Sequence, residues 1–468
     1  MINVEVRDLI KIMKGNLIIG DPRQQVRRIA IDTRTMERGD FFLALKGMRF
    51  DGHDFISNTL EKGAAGLIVS RLSKDIGKNP LNYRQFPTVV MVDNTLKALQ
   101  IFSETYRKRF VPTVIGITGS NGKTTTKDML SYILSLVDQC VYTQGNYNNH
   151  IGLPLTLLDI GPEHRFVITE MGASQPGDIR ELCTLADPRV GIITNIGPAH
   201  LQSFGSVDSI IKTKMELLEY LPEDGEAIIN GDDPFLRGQL KRIRCRVTTF
   251  GLEPSCTVCA VKPVYWPEAS FRLRLADASY PIKLAYPGKC NVYNALAAAA
   301  AAWRVGAQPE QILQGLSKSV LPPMRFEVKT TKDNTVLVND AYNANPVSMR
   351  SSIDTFMQAY GDRKKVLVLG DMRELGDQAR QEHTALGTFI AQLSVDMVLV
   401  VGEHRQYVCD GARSAGMASD KIKSYNKRNY LFEDLMHLMG PSVAILFKAS
   451  RDVALDEVVN QIIRQTSL

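Results

Sequence analysis

Gly116-Ile-Thr-Gly-Ser-Asn-Gly-Lys-Thr-Thr-Thr126 continues an apolar run that begins at Val114, and its reading decides how the rest of the chain is organised. An apolar strand, three glycines, a Gly-Lys-Thr triplet and a following helix make a strand-to-helix loop. The backbone N–H groups of such a loop present fixed positive potential to phosphate oxygens. Lys123 is placed to reach the β- and γ-phosphates, and the Thr124 hydroxyl to ligate Mg²⁺. The spacing departs from a strict phosphate loop, which would want glycine at 117, where isoleucine stands. A bare glycine turn leaves Lys-Thr at the helix start unexplained, so the expected ligand is ATP. Its phosphates would lie on Gly119, Ser120, Asn121, Gly122, Lys123, Thr124 and Thr125.

Downstream of this loop, strand and helix patterns alternate. Phe166-Val-Ile-Thr-Glu170, Val190-Gly-Ile-Ile-Thr-Asn195 and Ala227-Ile-Ile-Asn230 are near-continuous apolar strands, which imply a parallel sheet covered on both faces. From about Val247 to Leu284 several β-rich runs lack intervening helices and suggest an antiparallel extension. An Ala-rich helix, Ala295 to Val305, closes this region. From near Pro322 the alternation resumes, with strands at Val336–Val338, Lys365–Leu369, Met397–Val401 and Val443–Phe447, as in a second, Rossmann-like parallel sheet. Upstream, Asp40–Leu45 and Ala65–Ser70 look like strands of a small α/β unit. A helix over Asn94–Phe110 and then Val111-Pro112 mark its end.

At 468 residues the chain is long enough for several cores, and 44% hydrophobic with 23% charged residues is ordinary globular composition. The N-terminus has no apolar signal core and the longest apolar stretch, near Ala295–Trp303, is too short to span a bilayer, so a cytoplasmic protein without membrane insertion is expected. The net charge of +6 lacks long basic runs and suits an anionic small substrate as well as nucleic acid. Seven scattered cysteines fit a reducing compartment. Cys256-Thr-Val-Cys259 has metal-clip spacing, but without a second pair or a nearby histidine it reads as structural.

Several side chains sit where parallel sheets bind ligands. Glu170 ends a strand and offers a hard oxygen donor suited to Mg²⁺. His200, in Asn195-Ile-Gly-Pro-Ala-His200, follows the next strand, although Mg²⁺ prefers oxygen. In a helix from about Val207 to Leu221, Lys214 falls on the apolar face with Ile210, Leu217 and Leu221, while Lys212 groups with Glu216 and Glu219 on the polar face. Lys214 must therefore snorkel, pair or lose its proton and become open to modification. Asn291 and Asn294 could cap the Ala-rich helix or contact a base edge. Asn339-Asp-Ala-Tyr-Asn-Ala-Asn-Pro346 could hold a ribose or nucleobase, or form a series of turns.

Together these segments resemble the Mur ligases over essentially the whole chain. The resemblance rests on GITGSNGKTTTK at 116, NYNNHIGLPLTLL at 146, TEMG at 169, NIGPAHLQSFGS at 195, NDAYNANP at 339 and LGDMRELG at 369. IDTRTMERGDFFLALKGMRFDGHDF at 31 is similar to the family's UDP-binding domain. YNANP points to the branch that joins D-Ala-D-Ala to UDP-N-acetylmuramoyl tripeptide. The resemblance implies an α/β fold of three domains: a small UDP-binding domain over 1–110, a central P-loop, ATPase-like parallel-sheet domain over 111–321 and a C-terminal Rossmann-like domain over 322–468. It implies an ATP-dependent peptide ligase working through an acyl phosphate in peptidoglycan precursor synthesis, and a monomer is expected.

Carried onto this sequence, the resemblance implies Lys123, Lys214 and His200 as catalytic residues. Mg²⁺ would lie near Thr124, Glu170, His200 and a carbamylated Lys214. Asn291, Asn294, Arg325 and Asp340 would contact adenosine, with Tyr342, Asn343 and Asn345 nearby. Thr33, Arg34, Lys46 and Gly47 would face the UDP end, and Asn146, Asn148 and Asn149 the muramoyl substrate. Three positions depart from the family pattern: Cys290 in place of a common histidine, Met324 where glycine often precedes the arginine, and Ala449 in place of glycine in the Lys-x-Ser-Arg segment.

Overall fold

A computed structural model of the chain describes residues 2–47, 49–72, 87–198 and 201–466. It is an α/β protein with two compact units. The first comprises Met1–Gly116, Asp138–Gly172 and Arg180–Arg189, and the second Ile117–Val137, Ala173–Ile179 and Val190–Leu468.

In the first unit, the described residues form a sheet in the order Asn16–Ile19, Thr88–Met91, Gly66–Val69, Phe41–Leu43, Ile29–Ala30. The first pair is antiparallel and the others parallel. One face is covered by the helices Val6–Met13 and Thr95–Arg107. The second of these starts where Asn94 accepts a hydrogen bond from Lys97 N (2.9 Å), satisfying one of the orphan first-turn donors. Its Ala98, Leu99, Phe102 and Tyr106 recur at helical spacing and pack with Leu9, Phe41, Leu43, Ile68 and Val90. Farther along this unit, Cys140–Tyr142 and Phe166–Glu170 pair in parallel.

In the second unit, Val190–Ile193, Glu226–Asn230, Arg246–Gly251 and Val258–Val264 run parallel in that order. The region 247–284 is thus antiparallel only in its last part, where Ser270–Leu275 and Ala278–Lys283 join as hairpins. A two-residue connection at Ala276-Asp277 can only reverse the chain. The parallel pairing of Arg246–Gly251 with Val258–Val264 is instead confined to Phe250-Gly251 against Val258-Cys259, the end of one strand beside the start of the next, so the short link between them need not cross back along the sheet. The Ala-rich helix begins earlier than its alanines, at Lys289, and runs to Arg304. Ala297 to Ala302 are fully buried because this helix lies between the helix Lys123–Ser135 and the strands Glu226–Asn230 and Arg246–Gly251, a gap that larger side chains would overfill.

The C-terminal sheet of the same unit has the order Glu327–Thr330, Val336–Asn339, Val443–Lys448, Lys364–Gly370, Met397–Val401, Ile422–Tyr425. All neighbours are parallel except the edge strand Glu327–Thr330, which a short turn at Thr331–Thr335 folds back as a hairpin. Leu337, Val368, Leu399, Ile445 and Phe447 carry its core.

The alanine at 449 has a structural counterpart. A Cβ placed on Gly370 would lie 2.7 Å from the Ala449 methyl and 3.0 Å from Val453 Cγ1, so the missing side chain at 370 makes room for the extra methyl. Gly370→Ala is therefore expected to cost about 1–3 kcal/mol through overpacking, seen as a lowered midpoint in thermal unfolding. Adding Ala449→Gly in the same chain should restore most of the loss; no recovery would refute the pairing.

Candidate active site

The phosphate loop is built where the strand Thr113–Thr118 ends and the helix Lys123–Ser135 begins. Two glycines allow the turn. Gly119 has φ +148° and Gly122 φ +82°, both in the region L side chains rarely adopt. At each, space is also closed: a Cβ at Gly119 would fall on Thr194 Oγ1, and one at Gly122 on Asn294 Oδ1. Gly122 is the N-cap, so the N–H groups of the first helical turn after it face outward without intrahelical acceptors.

The loop is fastened to Thr194–Gly197, the segment that leaves the neighbouring strand. Ser120 N donates to Asn195 O (2.9 Å), and the Ser120 hydroxyl exchanges hydrogen bonds with Gly197 O and N, both 2.9 Å. Asn121 N donates to Asn195 Oδ1 (3.0 Å), while Asn121 O accepts from Asn195 Nδ2 (3.0 Å) and Thr194 Oγ1 (2.6 Å). That segment is itself held, since Asn230 Nδ2 donates to Thr194 O (3.1 Å) and Ile196 N to Asp233 Oδ2 (2.8 Å). Asn195 and Thr194 were not among the expected site residues. Their signal was the asparagine that opens NIGPAH, directly after an apolar strand. Lys123 Nζ curls back to Gly119 O (2.7 Å), across the mouth of the loop.

Residues from the C-terminal sheet reach the same loop. Arg325 stacks on the Tyr342 ring, 4.3 Å from its centroid, and Nη2 donates to Thr124 Oγ1 (3.0 Å). Met324, where glycine is common, has φ +62°, which explains the usual glycine. Asn345 Nδ2 donates to Asn121 Oδ1 (2.8 Å), and its Oδ1 accepts from Ser348 N (2.8 Å). Asp340 pairs with the buried Lys448 (2.7 Å), and its other oxygen accepts from Phe326 N (3.1 Å). Asn343 Oδ1 accepts from Ala344 N (2.9 Å).

On the Ala-rich helix, Gly288 is the cap, not either asparagine. Asn291 Nδ2 donates to Pro287 O (2.8 Å). Asn294, one turn in and buried, directs Oδ1 at Thr126 Oγ1 (3.5 Å), beside Gly122. Cys290, in the first turn, meets Ser351 Oγ at 2.9 Å. Cys256 and Cys259 are buried free thiols.

Lys214 lies in the helix Val207–Tyr220 and is 4% exposed, with no hydrogen-bond or ion-pair partner among the described residues. Burial, aided by the charge of Lys123, holds its pKa well below the usual lysine value. The expected polar face of this helix is narrower than its sequence suggests. Lys212 is exposed, but Glu216 is buried and accepts from Gly177 N (2.8 Å), because a glycine turn at 177 folds over it.

In the first unit, Glu170 is 2% exposed; its Oε1 accepts from Asn148 Nδ2 (2.8 Å), and its buried Oε2 has no hydrogen-bond partner among the described residues. Just ahead of the helix Gly152–Leu158, Asn149 Oδ1 accepts from Ile151 N (3.1 Å) and Gly152 N (3.0 Å), and Asn146 O accepts from Asn148 N (2.7 Å). Thr33 and Arg34 follow the strand Ile29–Ala30, and Lys46 and Gly47 follow its parallel neighbour Phe41–Leu43, so the register carries both loops to one sheet edge. Arg34 is exposed and paired with Asp32 (2.6 Å). His200 lies outside the described residues. Among those described, no three His, Cys, Asp or Glu side chains gather as a metal site.

The pH dependence of Lys214 follows by linkage. Unfolded, it takes up a proton below about pH 10.4; folded, only at lower pH. Between these values the unfolded chain binds more protons, so stability rises with pH. In bicarbonate-free buffer, where the amine stays unmodified, Lys214→Met should melt higher than the parent at neutral pH. That margin should shrink as the pH approaches 10; a margin that grows with pH would contradict the buried, unpaired amine.

Three family segments match in chain order. The Mur ligase family catalytic domain covers residues 25–107, the Mur ligase middle domain 117–302 and the Mur ligase glutamate ligase domain 324–451. The UDP-N-acetylmuramoyl-tripeptide–D-alanyl-D-alanine ligase of Bacillus subtilis (strain 168) is 36% identical over 464 residues, covering 99% of both chains. The ligase of the same name from Escherichia coli (strain K12) is 33% identical and covers 98% of each. Among solved structures, MurF from Acinetobacter baumannii superposes with a TM-score of 0.87 at 32% identity over 99% of both chains. The MurF ligase of Thermotoga maritima in complex with ADP gives 0.81 at 30% identity, over 94% of this chain and 98% of that one. A glycine-turned phosphate loop on a chain matched from end to end places this protein in a family: it belongs to the Mur ligases.

Proposed function

We propose that this chain is an ATP-dependent ligase that joins D-Ala-D-Ala to UDP-N-acetylmuramoyl tripeptide in peptidoglycan precursor synthesis. The observation that carries the reading is the phosphate loop at 119–124, pinned by Thr194–Gly197, in a chain that matches D-alanyl-D-alanine-adding ligases over its whole length. A carboxylate is a poor electrophile, and ATP supplies the activation. The terminal carboxylate of the tripeptide attacks the γ-phosphorus and ADP leaves, giving an acyl phosphate. The amine of D-Ala-D-Ala then attacks the acyl carbon, phosphate leaves and the amine loses a proton, which completes the amide.

This chain's residues serve those steps by position and charge. Lys123 and the first-turn N–H groups face the phosphates. Asn294, beside Gly122, together with Arg325 and Tyr342 supports adenosine binding on the same side. Thr33, Arg34, Lys46 and Gly47 receive the UDP end, and Asn146, Asn148 and Asn149 the muramoyl part. Use of ATP and a nucleotide-linked substrate supports a cytoplasmic reaction.

For Mg²⁺ the residue types fit. Among the described residues, one buried carboxylate oxygen of Glu170 has no hydrogen-bond partner, and Thr124 offers a hydroxyl. Mg²⁺ takes few protein ligands beside phosphates and water, and when bound it neutralises phosphate charge. Lys214 fits carbamylation. A depressed pKa leaves a neutral amine whose lone pair can add to the carbon of CO₂, releasing a proton and leaving an anionic oxygen donor in place of the buried amine.

ADP release measured with UDP-muramoyl tripeptide should require D-Ala-D-Ala, and dipeptide-independent turnover would favour a simple ATPase. Lys123→Ala should abolish ligation in a chain that melts normally; ligation near the wild-type rate would overturn the assignment. Lys214→Ala should lose activity and regain part of it with an added short carboxylic acid. Full activity without the acid would exclude a working carbamate.

A further inference from the structure

Asn345 was expected beside the nucleotide, yet both halves of its amide are already committed to protein. It sits at the start of the helix Pro346–Ala359, where its Oδ1 accepts from Ser348 N (2.8 Å) and the Ser348 hydroxyl accepts from Asn345 N (3.0 Å), a closed capping box. Because the cap consumes the carbonyl, the group left on the other side of the amide must be N–H. That N–H meets Asn121 Oδ1 at 2.8 Å. Asn121 thus has its backbone claimed by Asn195 and Thr194, and its side chain by Asn345. It is also the residue immediately before Gly122, from which the phosphate-facing helix starts.

The segment carrying Asn345 is itself fixed. Lys448, 3% exposed, spends its ammonium on Asp340 Oδ2 (2.7 Å), Asp340 O (3.3 Å) and Asn343 O (3.2 Å), three acceptors for three protons. Ser450 Oγ reaches Ala344 O (3.5 Å), and Ser450 N donates to Asp371 O (2.9 Å). Lys448 and Ser450 therefore brace the turn that presents Asn345, which accounts for two residues of the Lys-Ala-Ser-Arg segment without any ligand contact.

We propose that Asn345 is a positioning residue for the phosphate loop: it sets the loop through the Asn121 side chain and does not itself touch the nucleotide, so that ATP binding depends on a contact reaching from the C-terminal sheet. This rests on the ligase reading for its kinetic arm and on nucleotide binding alone for the other. Serine is a good cap but too short to span the gap, so Asn345→Ser keeps the helix start and removes the contact. Asn121→Ala removes the acceptor and leaves the cap untouched, which keeps the test valid should the serine variant fold poorly.

In the full-length chain, each single variant should lower kcat/KM for ATP about tenfold, the size expected for one hydrogen bond whose partner is left unpaired. The KM for D-Ala-D-Ala should be unchanged, as should the melting temperature. Binding of ADP, followed by calorimetry, should weaken by a similar factor, and the double variant should be no worse than either single one. Wild-type ATP kinetics and ADP binding in both single variants, or losses that multiply in the double variant, would overturn the proposal. If the parent chain binds ADP but shows no dipeptide-dependent turnover, the ligase reading fails while the ADP arm still decides the role of Asn345.

Discussion

The segment Thr194–Gly197 is held at the end of its strand by Asn230 and Asp233, and everything around the phosphate loop depends on that hold. A loop that presents backbone N–H groups to an anion must keep them turned outward in the absence of the anion, against its own tendency to close internal hydrogen bonds. Here the internal needs of the loop are met by another strand end. The Ser120 hydroxyl and both backbone groups of Asn121 are satisfied sideways, leaving the first helical turn to face the ligand. The glycines at 119 and 122 are then required twice over, by their left-handed φ and by Thr194 and Asn294 standing where a Cβ would go.

The same logic of local satisfaction governs the charged groups. Asp340 and Lys448 neutralise each other under the NDAYNANP turn, so that segment acts as a rigid presenter. Lys214 is the opposite case, an amine buried without a counter-ion among the described residues and held far from its ordinary pKa. A buried unpaired lysine is costly to a fold, and its position on an otherwise apolar helix face makes sense when its chemistry is used. Glu170 presents the complementary feature in the first unit, one carboxylate oxygen bonded to Asn148 and the other without a partner among the described residues.

The departures from the family pattern also acquire physical meaning. Ala449 fits because Gly370 faces it. Met324 occupies a left-handed backbone, a strain of order 1 kcal/mol that glycine would avoid. Cys290 finds Ser351 as a partner for its thiol.

Much of the architecture was legible in the residues alone, because buried parallel strands such as Phe166–Glu170 and Met397–Val401 are continuous apolar runs whose length and flanks set their limits. The loop at 119–124 and the placement of Lys214 on an apolar helix face were legible for the same reason: local spacing fixes which way a side chain points. Hydrogen-bond partners far apart in sequence were not. Nothing near Asn121 names Asn195 or Asn345, and Glu216 reads as a surface residue until Gly177 folds over it. An asparagine carries a donor and an acceptor whichever way it is used, so the sequence by itself determined the strands, the anion-binding turn and the misplaced lysine. Only the tertiary structure decided which amides brace the loop, because that depends on which strand ends are brought side by side.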